Sequence, residues 1–117
     1  MAREPFMYIV VAEDGTSHEH HTRLRDGDVA SLLRRAVGGV PASIPIGVPD
    51  LYLWGDEDGH PKALRPNPVA RLLVARLGGG DLPLVGRVVL TGRRGAAAVS
   101  LTTTQIDAVL AALAHCR

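Results

Sequence analysis

Residues 6–39 read FMYIVVAEDGTSHEHHTRLRDGDVASLLRRAVGG, and this stretch decides the fold class. Residues 6–12 are apolar, aromatic and β-branched, the composition of a buried strand. Asp14-Gly15 is a strong turn pair, and residues 16–24 alternate loosely enough to pair back as the second arm of a hairpin. Asp28 then offers a carboxylate to the free N–H groups of a helix N-terminus. Val29, Leu32, Leu33, Ala36 and Val37 recur at the spacing of one apolar helix face, with Arg34 and Arg35 off it. Gly38-Gly39 ends the helix by permitting a left-handed backbone. A hairpin running straight into a helix is not the start of a regular βαβ repeat.

Working outward, residues 40–50 mix Pro41, Pro45, Gly47 and Pro49 with apolar side chains, so any strand there lies at an edge or is interrupted. Residues 51–54 form a short strand, 56–59 an acidic turn, and 62–64 a returning arm. Asn67-Pro68 opens a second helix, because Asn caps and Pro at the first position gives up an N–H that had no partner. Val69, Leu72, Leu73 and Leu77 are its apolar stripe, and Gly78-Gly79-Gly80 stops it. Residues 84–90 read as a strand, 91–95 as a turn and 96–101 as a further strand. Thr102 and Gln105 make a capping box for the last helix, stapled by Leu101 and Ile106. The order predicts an α+β fold: one domain over residues 1–117 with its core at about 7–113. A mixed or antiparallel sheet carries about three helices packed mainly on one side. Residues 1–5 and the last two or three are expected to fray.

Composition narrows the function classes. The chain has 117 residues, 46% hydrophobic and 21% charged, ordinary for one globular domain. Aromatics are only 3%, so the core must be aliphatic. A net charge of +1 gives no global field to attract nucleic acid, and no nucleic-acid partner is expected. Lys62 is the single lysine, and arginine carries the rest of the basic charge. No apolar run reaches the roughly 18 residues of a membrane span, and no signal-peptide pattern opens the chain. With Cys116 as the lone cysteine, a reducing, cytoplasmic setting is expected.

Several residues invite a chemical reading. His18 and His20, two apart on a strand, point the same way and could share a metal. Zinc needs three or four ligands, however, and the His18-His20-His21 spacing fits no finger or zincin, so a solvated strand is the expectation. Asp56-Glu57-Asp58-Gly59 lacks the spacing of a calcium loop and reads as an exposed turn. The glycine runs after the first two helices are stops, not phosphate loops. Arg93-Arg94 on a turn could hold an anion. Cys116 and the serines show no base partner, so no catalytic residue is assigned and the expectation leans away from an enzyme. Residues 59–68, with a stiff path through prolines, are expected to bring Trp54, Lys62, Arg65 and Asn67 together as a binding patch, although Asn67 also serves as a cap.

The segments LYLWGDEDGHPKALRPNPVARLL (51–73), LVGRVVLTG (84–92) and LTTTQIDAVLAAL (101–113), after a hairpin and a helix closed by Gly-Gly, carry a resemblance. Together they look like domain of unknown function 3846, a small family of phages, plasmids and bacterial hosts that include actinobacteria. Asn67 and Gly86 are the positions that match best. The family's strand before the turn holds an asparagine, where this chain has Leu53-Trp54-Gly55. The resemblance implies a single α+β domain in a mobile-element setting and assigns no catalytic residue.

The expected function is thus a small non-enzymatic binding protein that occupies a protein partner through a sheet edge or the Trp54 hairpin. The alternative is a binder of a nucleotide-like anion through Arg65, Arg93 and Arg94. No cofactor and no membrane partner are expected, and an unpaired edge strand makes a homodimer conceivable.

Overall fold

The computed structural model describes residues 4–24 and 27–116. Among them, six strands and three helices follow one another as β1 (Glu4–Val11), β2 (Ser17–Leu24), α1 (Val29–Val37), β3 (Pro41–Ile44), β4 (Leu51–Asp56), α2 (Pro68–Arg76), β5 (Val88–Arg94), β6 (Ala97–Val99) and α3 (Thr103–Ala114). The strands form one antiparallel sheet in the order β2-β1-β5-β4-β3, with β6 beside the end of β5. The fold is a single-domain α+β unit.

The hairpin of β1 and β2 turns where Asp14-Gly15 directs it. The Asp14 carboxylate accepts from Thr16 N at 2.9 Å, Gly15 takes φ +90, and the register sets Tyr8 opposite His20. Each helix starts at its expected cap. Asp28 accepts from Ser31 N at 3.1 Å, Asn67 from Ala70 N at 3.0 Å, and Thr102 with Gln105 closes the reciprocal capping box. Gly38 ends α1 in the left-handed conformation.

Alternation along the strands splits the sheet into two faces. Ile9, Val11, Leu51, Leu53, Val88 and Leu90 point to one side, where α2 and α3 close over them with Leu73, Val74, Ile106, Val109 and Leu113. Phe6, Val10 and Val89 point to the other, under Leu32, Leu33 and Val37 of α1. Two helices therefore pack on one face and α1 alone on the other.

Two local expectations fail. Residues 62–64 are not a returning strand. They belong to a chain of turns in which Lys62 N bonds Asp58 O and Leu64 N bonds Gly59 O, and Ala63 takes φ +54. The partners of β4 are β3 and β5 instead. The strand expected at 84–90 begins only at Val88, because Gly86 at φ +70 breaks the extended run. It then continues through the expected turn to Arg94, held between β4 and β6, and the chain reverses at Gly95. The expected fraying at residues 1–3 and 117 lies outside the described residues; Pro5 is already in β1, and Cys116 is buried with its thiol on Ala112 O.

Candidate functional site

α1 is nine residues long and cannot cover a sheet this wide. It packs on β3, β4 and β5 and also covers Phe6, Val10 and Leu24, but Tyr8 stays partly exposed and His18 and His20 exposed beside it. The opening is a groove of about 470 Å³ between the hairpin and one flank of α1. Tyr8 forms its floor, His18 and His20 its β2 wall, and Arg35 its α1 wall, with Arg87 at one end. The hairpin register stacks the His20 and Tyr8 rings at 4.7 Å and only 7° from parallel, and His18 follows 6.2 Å from His20. The outer part of His20 stays exposed.

The groove is cationic. Among the described residues no Asp or Glu lines it, and neither Arg35 nor Arg87 forms a side-chain hydrogen bond or ion pair. Elsewhere Arg71 is matched with Asp81, and Lys62 with Asp56. Partial burial raises the Tyr8 phenol above its ordinary value of 10.0, and the positive charge of Arg35 draws it part of the way back. The Arg87 guanidinium lies against the end of α1: a Cβ on Gly38 would fall 2.7 Å from it. Cations are stabilised at a helix C-terminus by the unsatisfied carbonyls there, so Arg87 has a structural use beside any ligand role.

The residues expected to form a binding patch do not come together. Asn67 is fully buried. Its amide donates to Val11 O at 3.0 Å and Gly86 O at 2.8 Å while its oxygen caps α2, so it ties β1, α2 and the 84–86 loop together and faces no partner. Trp54 lies on the opposite face, half-buried beside α1, with Nε1 donating to Thr91 Oγ1 at 3.0 Å. Lys62 is held by Asp56 at 2.8 Å, and Arg65 is exposed near Asp14.

Nor do Arg65, Arg93 and Arg94 converge. Arg65 bonds Gly86 just before β5, whereas the arginine pair closes the strand, about 20 Å away at roughly 3.3 Å per residue. As strand neighbours, Arg93 and Arg94 point to opposite faces. Arg93 donates to Gly95 O and lies 5.0 Å over the Tyr52 ring. His18 and His20 do share a face, but among the described residues no third metal-ligating side chain joins them. Glu19 and His21 face the other way and bond each other. Also among the described residues, no helix is long and apolar enough to cross a membrane.

Sequence reasoning passed over Tyr8, Arg35 and Arg87. The available signal was the hairpin register: a turn centred on Asp14 sets Tyr8 beside His20 on one face. No protein-family model matches the chain, and neither does any curated protein or solved structure.

Proposed function

We propose that this chain is a non-catalytic binding protein that captures a small anion in the groove beside α1. One observation carries the reading: two guanidiniums that make no side-chain hydrogen bond or ion pair share a carboxylate-free concavity with the stacked Tyr8 and His20 rings and with His18. Small-molecule sites run to roughly 300–1,000 Å³ with a few polar groups aimed inward, and the groove fits the lower part of that range. Arginine suits such a site because its planar fork meets phosphate or carboxylate oxygens two at a time. The test is thermal unfolding in rising inorganic phosphate at fixed ionic strength. A ligand of the native state at a hundred times its Kd adds about 2.7 kcal/mol of stability. An equal response in the Arg35→Gln, Arg87→Gln double variant would sink the reading.

A protein-binding role is the second reading, and the length of β2 favours it. An eight-residue strand without proline lies at the sheet edge, where a partner strand, including a second copy of the chain, can add on. Sedimentation across a concentration series would reveal self-association. The resemblance read from the sequence to domain of unknown function 3846 would add a mobile-element setting to either reading, and the lone cysteine a cytoplasmic one.

A further inference from the structure

We infer that the ligand of this groove is a nucleoside monophosphate or a nucleotide unit of the same chemistry. The inference rests on the anion-binding reading above and adds the organic half of the ligand.

The argument starts from the stack. Tyr8 and His20 are parallel to within 7° at 4.7 Å, so one face of the imidazole is occupied by the phenol ring while the outer part of His20 remains exposed. A stack of two flat rings ending toward solvent is a platform for a third, and a nucleobase is a ring of that kind. Buried Phe6, two residues along β1, lies 6.2 Å from Tyr8 with its ring tilted 49°, and so ties Tyr8 to the core. The chain holds one phenylalanine, two tyrosines and one tryptophan, and all of them lie on the α1 face. Of these four, Tyr8 lines the groove, while Phe6 belongs to the core beside it.

The charge argument is independent. A neutral aromatic ligand needs no guanidiniums, and a bare inorganic anion needs no stack. Arg35 stands close enough to act on the Tyr8 phenol, so the α1 wall of the groove places positive charge beside the ring platform. Thr22 adds a hydroxyl at the lining, which suits a sugar; the Thr16 hydroxyl there is already donated to the Asp14 carboxylate. Ring platform, the Thr22 hydroxyl and guanidiniums in one concavity match base, ribose and phosphate.

The test is calorimetric titration of the full chain with adenosine monophosphate, inorganic phosphate and a single-stranded oligoadenylate. Adenosine monophosphate should bind at least tenfold more tightly than phosphate. His20→Ala should erase that advantage and leave phosphate binding intact, and His20→Phe should restore it. Arg35→Gln should weaken both ligands tenfold or more. His20 and Arg35 are both exposed, and unchanged melting of each variant shows that it folds. If phosphate binds as well as the nucleotide, the nucleotide inference falls and the anion groove stands. If neither binds, both readings fall. An oligoadenylate that binds far more tightly than the monophosphate, with strong salt dependence and the same loss in His20→Ala, supports the nucleotide subsite with a polymer as its source.

Discussion

The two faces of the sheet are covered to different extents. On one, Ile9, Leu53, Val88 and Leu90 lie sealed under α2 and α3, with no exposure for any of the four. On the other, α1 buries Phe6, Val10 and Val89 but leaves Tyr8 partly exposed and His18 and His20 exposed beside it. Both faces follow from the same period-two alternation. The first face needs only apolar volume, so aliphatic residues suffice. On the second, rings and arginines stand where an aliphatic chain would leave apolar surface open to water. If the proposed groove binds its ligand, stability and binding fall on different sides of one sheet, and mutations should separate them.

The largest effect is expected at Asn67, which pins the closed side. Asn67→Asp keeps the cap on α2 but replaces two amide donations by a carboxylate facing the carbonyls of Val11 and Gly86. Each orphaned buried acceptor costs about 1–3 kcal/mol, and the buried charge adds to that. A loss of about 5 kcal/mol by denaturant titration is expected, larger than for Asn67→Ala, which leaves no charge behind. If Asn67→Asp proves the milder of the two, the buried knot is misassigned. Leu53→Ala comes next. Leu53 is fully buried opposite Leu90, and truncation there should cost about 3 kcal/mol, within the range for large-to-small core changes. Tyr8→Leu on the open face should cost visibly less, which the same titration would check.

Local signals read well wherever the chain decides its own geometry. Asp14-Gly15, Asn67-Pro68 and Thr102 with Gln105 each act within a few residues, and each turn or cap forms where the sequence sets it. The failures came where distant contacts override local preference. Residues 91–95 carry a turn signal, yet Gly92 is clasped between Leu51 and Val99, so the strand runs on. A Cβ at Gly92 would lie 2.6 Å from Ser100 O, and the glycine that looked like a turn residue instead permits that approach. Residues 62–64 lost their strand because β5, from far along the chain, took the place beside β4. The candidate site was half legible. His18 and His20 stood out, but Arg35 looked like a solvated residue until the width of the sheet showed how much of it α1 leaves bare. Arg87 drew no reading at all; its place beside Gly38 depends on the long-range pairing of β5.

Smaller effects sharpen the contrast through the helix caps. Thr102→Ala should cost about 1 kcal/mol and leave any groove ligand unaffected, since it removes one acceptor from α3 on the closed side. A wild-type ligand affinity alongside the lowered stability would confirm that the two sides are separable.

Acid distinguishes the two caps more finely. The α3 cap is an uncharged hydroxyl, whereas α1 depends on the Asp28 carboxylate, whose hydrogen bonds from Ser31 hold it below its ordinary value of 3.8. A depressed folded-state value contributes stability that is present above the unfolded value and lost as pH falls through the folded one. The α1 contribution should thus be complete from neutrality down to about pH 5, and fade below pH 4 as Asp28 takes up its proton. Hydrogen exchange, corrected for intrinsic rates, should show α1 amides losing protection before α3 amides in that window. Because Asp28 is exposed and water screens it, the shift should be the smallest of those described here. Asp28→Ser keeps a capping oxygen without a titrating charge, so its α1 should hold protection down to the pH at which the whole sheet opens. If α1 in Asp28→Ser loosens with the wild-type profile, the acid sensitivity belongs to another carboxylate. The open side of the sheet would then owe its helix to packing against Phe6, Val10 and Val89 alone.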